Sequence, residues 1–361
     1  MRESALAPTS LRGKPGRMSV DLPVIDLGAY LRSGGKEGSD ACAAVARSFE
    51  EVGIALVRDP RLPENIPRRF VGLMERYFAQ PEAVKQPDCR AEIGYQVGWT
   101  PSFIERPRVR PEVVAKLAPE HRPKPVLTAD PKERFFASLG KKPPTTKFDW
   151  LNPDPVMPQA FPEWYDVTGA WSTNMIRTVY TLLEMAARGF GERADLFTTF
   201  LEYGPHLLAP TGSDLSKYGA PDTVLAGFHD DLNFVTAHTQ SNYPGLRAWT
   251  RTGESFFAKV PDGCILVQAG QQLEYVTGGA ILCGLHEVLA VEAAQEKMRS
   301  EIANGRVPWR ISSTLFAHAT SDATLLPVGR FATDEAHSKY PSILAGDQVA
   351  KELEAIELVR N

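Results

Sequence analysis

The 361 residues contain only four cysteines, Cys42, Cys89, Cys264 and Cys283, and no two of them form a C-x-x-C pair. Neither a disulfide framework nor a thiolate zinc site fits that spacing, which reads as a chain for a reducing compartment. Histidine is scarce as well: there are seven, His121, His206, His229, His238, His286, His318 and His337. Any metal chemistry has to come from two or three of them. An excess of charge of one sign is also missing, since 40 Lys plus Arg stand against 44 Asp plus Glu, a net of −4. That balance offers no electrostatic footprint for a nucleic-acid backbone or an anionic membrane surface. No apolar run approaches the ~18 residues that a membrane span needs. The stretch 1–19 carries Arg2, Arg12, Lys14 and Arg17 without the apolar core of a secretory signal. These absences predict a cytoplasmic protein with a frayed tail over 1–19 and no nucleic-acid or membrane partner.

What is present is ordinary globular composition, 43% hydrophobic and 23% charged, enough to bury a real core. The stretch 22–27, LPVIDL, reads as a short strand. Ala43, Val45, Ala46, Phe49 and Val52 recur at helical spacing over 39–52, Gly53 stops that helix, and IALV over 54–57 reads as another strand. Phe70, Leu73, Met74, Tyr77 and Phe78 form one stripe of a second amphipathic helix over 63–79. Prolines punctuate 100–162 so densely that long helices and central strands are not expected there. Trp164, Trp171, Met175, Val179, Leu182, Leu183 and Ala186 then predict one long buried helix over 163–188. From about His206 the period changes to alternation. TVLAGFHDDLNFVTAHT, GLRAWT, SFFAKV, CILVQAG, AILCGLHEVLAV and RISSTLFAHAT are β-like runs separated by turn residues, the pattern of a sandwich or barrel. The charged insertion 292–306 predicts a solvated helix or loop, and 345–359 a terminal helix.

In GFHDDLNF, His229 and Asp231 share one face of a regular strand while Asp230 points away. An imidazole and a carboxylate at that spacing can grip one metal ion. His286 follows Asp231 by 55 residues, on a run whose alternate positions Ala280, Leu282, Gly284, His286 and Val288 would face inward. Two histidines and one carboxylate on neighbouring strands make the facial triad that leaves open positions and suits non-haem Fe(II). RISS places Arg310 and Ser312 on one face. A planar guanidinium pairs bidentately with a carboxylate, and a hydroxyl two residues on can reach its second oxygen. By the same parity rule His238 falls opposite His229 and reads as structural, and His318 lies too far past Arg310 to share its pocket. No Gly-rich strand-to-helix loop supports a nucleotide-binding reading, and no G-x-S-x-G elbow supports a serine hydrolase.

Taken in order, LPVIDL with SFEEVGIALV, GFHDDLNFVTAHTQSNYPGLRAW, LVQAGQQLEYVTGGAILCGLHEVL and RISSTLF resemble the Fe(II)- and 2-oxoglutarate-dependent dioxygenases of the isopenicillin N synthase-like branch. The resemblance covers most of the chain. It implies a mainly β fold with flanking helices around a double-stranded β-helix (jelly-roll) core. It implies Fe(II) on His229, Asp231 and His286, the distal carboxylate of 2-oxoglutarate on Arg310 and Ser312, and O2 as the oxidant. The domain division it suggests is a tail over 1–19, a helix-rich region over 20–205 and the catalytic core with its C-terminal helix over 206–361. Three features depart from the family pattern: 24 residues separate His286 from Arg310, Leu207, Leu208 and Ala209 precede Pro210 where a Tyr often stands, and Gly270-Gln271 replaces Gly-Asp.

LLAPTGSDLSKYGAPDTVLAGFHDDLNF and KYPSILAGDQV look like a fungal and bacterial sub-branch acting on small free amino acids, including enzymes that close L-valine into an aziridine. On that reading the protein is a monomeric oxidoreductase of secondary metabolism that hydroxylates or cyclises a small molecule. Arg106 and Arg108 are candidates to pair a substrate carboxylate, and Ile343, Leu344 and Ala345 to cover the pocket mouth. Two other readings stay open at this stage: an oxidase that needs no 2-oxoglutarate, and a jelly-roll module that holds a metal without catalysis.

Overall fold

The computed structural model describes residues 22–108, 110–126 and 128–355. The tail over 1–19 and the end of the terminal helix expected beyond 355 lie outside the described residues. Helices and strands are mixed, and the mainly β expectation gives way to an α/β architecture. A ten-stranded sheet runs in the order Val24–Asp26, Ile54–Arg58, Cys264–Ala269, Val235–His238, Thr314–Ala317, His206–Leu208, Glu133–Leu139, Thr211–Asp214 and Trp309–Ser312, with Gly98–Thr100 paired beside Glu133–Leu139. A four-stranded sheet orders Ser255–Phe257, Leu246–Trp249, Leu285–Leu289 and Val224–Asp230. The arrangement is consistent with the double-stranded β-helix family of folds. Strands from before residue 206 extend the larger sheet, so the helix-rich region shares its hydrogen bonding with the core.

The helical readings hold. Helices span Ser39–Val52, Ile66–Phe78, Trp164–Gly189, Gln295–Ala303 and Ala345–Ala355. Val45, Ala46 and Phe49 of the first meet Leu182, Leu183 and Ala186 of the long one, and both back onto Val57, Val235 and Ile265 of the sheet in one buried cluster. Each fully buried Phe or Leu stabilises that junction by about 1.5–3 kcal/mol. The two helices touch at Gly189, where a Cβ would sit 2.1 Å from the carbonyl oxygen of Cys42. No helix among the described residues is long and apolar enough to cross a membrane.

Two strand readings are corrected. Glu133–Leu139 lies inside the larger sheet, within a region whose prolines argued against central strands. It fits because none of its residues is a proline: Pro131 precedes it and Pro143 follows it. The run 280–288 is not one strand. Residues 280–284 form a turn and extended chain, and the strand begins at Leu285.

Four histidines, His206, His238, His286 and His318, are buried. His206 is committed to its neutral form: its Nδ1 accepts the backbone N–H of His318 at 3.1 Å, which leaves Nε2–H to donate to the carbonyl of Leu201 at 3.1 Å. Burial accordingly pushes it down to about 4. The unfolded chain titrates near 6.5, so between these values the unfolded state holds the extra proton and stability falls as pH drops. At pH 5 that is about 2 kcal/mol from His206 alone. Thermal melts of chelator-treated protein are expected to show a lower Tm at pH 5 than at pH 7.5, with a smaller difference in His206→Gln. Equal acid sensitivity in the variant would show that this ring contributes nothing.

Candidate metal centre and its cavity

The smaller sheet sets the histidines side by side. Val224–Asp230 and Leu285–Leu289 pair antiparallel with His229 directly opposite His286, and their ring centroids lie 4.3 Å apart. The chain leaves the first strand after Asp230 and turns, and that turn carries Asp231 back so that Oδ1 is 3.7 Å from His229 Nε2. One ligand atom from each of His229, Asp231 and His286 lies within 4.8 Å of the others. Asp230, on the opposite side, is held by Arg110 at 2.6 Å and by the Cys283 thiol at 3.0 Å.

The remaining atoms of the three residues are tied down. His229 Nδ1 lies 2.6 Å from the carbonyl of Gly227, which makes it the protonated nitrogen and leaves the Nε2 lone pair facing Asp231. Asp231 Oδ2 accepts the hydroxyl of Thr236 at 2.6 Å. His286 Nδ1 lies 3.0 Å from the amide of Gln268, and burial pushes the ring down to about 3, so it is a neutral imidazole at physiological pH. Two imidazoles and one carboxylate, converging with their outer atoms engaged, form a donor set that suits Fe(II).

The cluster opens on a cavity of about 670 Å³, within the range of small-ligand sites. Arg310 and Ser312 line its wall from the strand Trp309–Ser312. Arg310 is 5% exposed, its Nε reaches only the carbonyl of Pro244 at 3.4 Å, and no carboxylate pairs with it among the described residues. Burial draws its guanidinium down to about 10, still charged at neutral pH. A buried cation without a counter-charge is costly.

The parity that begins at Arg310 continues through Thr314, Phe316 and His318, and all of them border the cavity. The expectation that His318 lies beyond the pocket is therefore corrected. Its ring is 7% exposed and neither nitrogen has a hydrogen-bond partner. His238 is corrected too: the turn at 231–234 breaks the strand on which its parity was counted, and its ring lines the cavity 5.9 Å from that of His286. Beside His229 the wall carries charges of both signs. Lys132 bridges Asp130 at 2.7 Å and Glu105 at 3.2 Å, and Glu105 also pairs with Arg134. The sequence reading missed these residues because they come from the proline-rich segment and the strand it conceals.

Arg106 and Arg108 both border the cavity. Arg108 is already engaged by Glu352 of the terminal helix. Ile343 and Ala345 do not line it. Ile343 pairs with Leu325 in a two-stranded sheet, and Ala345 is 1% exposed against a separate cavity of about 20 Å³. The terminal helix reaches the large cavity two turns later, through Glu352 and Leu353.

Residues 197–319 match the 2OG-Fe(II) oxygenase superfamily. The 2-oxoglutarate-dependent dioxygenase phqC of Penicillium fellutanum is 30% identical over 128 residues, which is 35% of each chain. The validamycin A dioxygenase of Streptomyces hygroscopicus subsp. limoneus is 22% identical over 353 residues, covering 92% of this chain and 86% of that one. Among solved structures, a Neurospora crassa enzyme in complex with alpha-KG and thymine superposes with a TM-score of 0.71 at 18% identity, covering 92% and 96% of the two chains. The dioxygenase for auxin oxidation of Arabidopsis thaliana, as its 2-oxoglutarate binary complex, gives 0.61 at 16% identity over 88% and 99%. These superpositions establish a shared fold. The segment that matches the 2OG-Fe(II) oxygenase superfamily, residues 197–319, holds the triad, and the two together support an Fe(II)- and 2-oxoglutarate-dependent oxidoreductase activity.

Proposed function

We propose that His229, Asp231 and His286 hold Fe(II), that Arg310 and Ser312 receive the distal carboxylate of 2-oxoglutarate, and that the cavity beyond them binds a small organic substrate whose C–H bond is oxidised. The observation that carries this reading is Arg310, a buried guanidinium that has no carboxylate partner among the described residues, in the cavity that contains the triad. A dicarboxylate supplies the missing counter-charge, and Ser312 stands two residues on along the same strand to bond its second oxygen. Bound Fe(II), with 2-oxoglutarate and O2, supplies the oxidising power for C–H cleavage. The chain itself fixes both histidine rings, keeps Asp231 oriented through Thr236 and surrounds the far end with the apolar side chains of Phe136, Leu207 and Phe316.

For the substrate we propose a free amino acid such as L-valine, hydroxylated or closed to an aziridine within an isopenicillin N synthase-like branch of secondary metabolism. Support comes from the mixed charges of Glu105, Lys132 and Arg134 on the wall beside His229, which can meet both ends of a zwitterion. The domain division at 205/206 and a closed jelly-roll core belong to the same proposal. Purified protein reconstituted anaerobically with Fe(II) is expected to convert 2-oxoglutarate to succinate on admission of O2 and an amino-acid panel. No succinate with any panel member would sink the reading, and turnover undiminished without 2-oxoglutarate would replace it with an oxidase.

Arg310→Ala leaves the dicarboxylate without its cation. It is expected to raise the KM for 2-oxoglutarate on the order of 100-fold, the loss of about 3 kcal/mol typical of a charge-assisted bond, while Co(II) binding at the triad is retained. His318→Phe keeps a ring of similar shape but removes both nitrogens from the cavity wall. Steady-state kinetics should show a higher KM for the primary substrate at an unchanged KM for 2-oxoglutarate. Unaltered primary-substrate kinetics would place His318 outside the binding surface.

A further inference from the structure

The two histidines of the triad are oriented by different means. His229 Nδ1 is tied to a backbone carbonyl, that of Gly227, which no substitution at another position removes. His286 Nδ1 depends on a side chain, Gln268, 1% exposed on the strand Cys264–Ala269 of the larger sheet. In its present setting the Nε2 amide hydrogens of Gln268 face the ring, so His286 accepts at Nδ1 and carries its proton on Nε2, the nitrogen nearer the other two ligands. The carbonyl oxygen of the same amide is buried without any hydrogen-bond partner. A half turn of the amide exchanges oxygen and nitrogen with almost no change in shape. In that setting Oε1 accepts Nδ1–H, and the Nε2 lone pair of His286 is released toward His229 and Asp231.

Two further features hold the amide in place. Gln268 is the direct cross-strand partner of Thr236, the residue whose hydroxyl bonds Asp231. Opposed residues on neighbouring strands share a face of the sheet, so adjacent positions of the larger sheet serve two of the three proposed ligands. Behind the amide stands Gly284, where a Cβ would lie 2.3 Å from both Cγ and Nε2 of Gln268. Any other residue at 284 would push the amide out of line with His286.

We propose that Gln268 is a positioning residue for the metal centre: its amide turns its oxygen to His286 Nδ1–H and thereby selects the tautomer that can ligate. The inference rests on the reading of His229, Asp231 and His286 as the metal site. Outer partners of this kind govern metal affinity by about 10–100-fold.

The test uses the full-length chain, stripped with chelator and titrated with Co(II), whose visible absorption reports coordination by histidine. Gln268→Leu, which fills the space but offers no acceptor, is expected to weaken Co(II) binding at least 10-fold with its far-UV circular dichroism unchanged. Gln268→Glu, which presents only acceptor oxygens to the ring, should restore binding to within threefold of the wild type. A third variant, Gly284→Ala, should weaken binding in the same direction as Gln268→Leu. Nitrogen-15 spectra of histidine-labelled protein give a readout independent of activity: with Co(II) replaced by diamagnetic Zn(II), one ring in the wild type should change its protonated nitrogen from Nε2 to Nδ1 on loading. Folded Gln268→Leu protein that binds Co(II) as tightly as the wild type would overturn the proposal. So would failure of Gln268→Glu to rescue a weakened Gln268→Leu. Wild-type protein that binds no Co(II) would instead overturn the metal-site reading beneath it.

Discussion

The register between Val224–Asp230 and Leu285–Leu289 is the constraint on which the site depends. With His229 opposite His286, both imidazoles emerge from one face of one small sheet at contact distance. A slip of one residue would send one of the rings to the opposite face. Asp231 joins them because the chain turns immediately after the strand ends, and the Thr236 hydroxyl then holds the carboxylate. A short loop and one hydrogen bond therefore do what a third strand would otherwise have to do.

The larger sheet supplies the supporting groups. Thr236 and Gln268 face the ligands from neighbouring strands, while Arg310 and Ser312 approach from a strand at the sheet's far edge. Buried charges are treated in two ways within the same cavity. Lys132, Arg134, Glu105 and Asp130 neutralise one another, whereas Arg310 has no carboxylate partner among the described residues.

Much of this was legible in the sequence, for identifiable reasons. The helices Ser39–Val52 and Trp164–Gly189 carry apolar residues at a period that tertiary packing only reinforces. His229, His286, Arg310 and Ser312 sit in short local patterns whose spacing survives folding, and Asp231 converges with the two histidines although a turn, not the regular strand, carries it there. Where the reading failed, it extended a local rule across a break. His238 was assigned a face by counting through the turn at 231–234. The parity from Arg310 does reach His318, but judging the cavity's length required knowing that Phe316 and His318 continue its wall. The strand Glu133–Leu139 was hidden because prolines on either side lowered expectations for the residues between them. Gln268 left no signal, because its role exists only when two strands far apart in sequence are brought beside His286. At the C-terminus, Ile343 and Ala345 fell short of the cavity because the chain pairs as a strand before the helix that reaches it.

The two proposed histidine ligands belong to the four-stranded sheet, with Asp231 in the turn that follows it, and the arginine to the ten-stranded one. A dicarboxylate that touched both would act as a strut between the two sheets, joining elements that otherwise meet through apolar packing and a few side-chain hydrogen bonds. Its affinity would then be felt across both sheets, since a ligand bound only by the assembled arrangement adds its binding free energy to the stability of that arrangement. In such a molecule a bound dicarboxylate would double as a fastener, and the spacing of the sheets would set the length of the acid that fits.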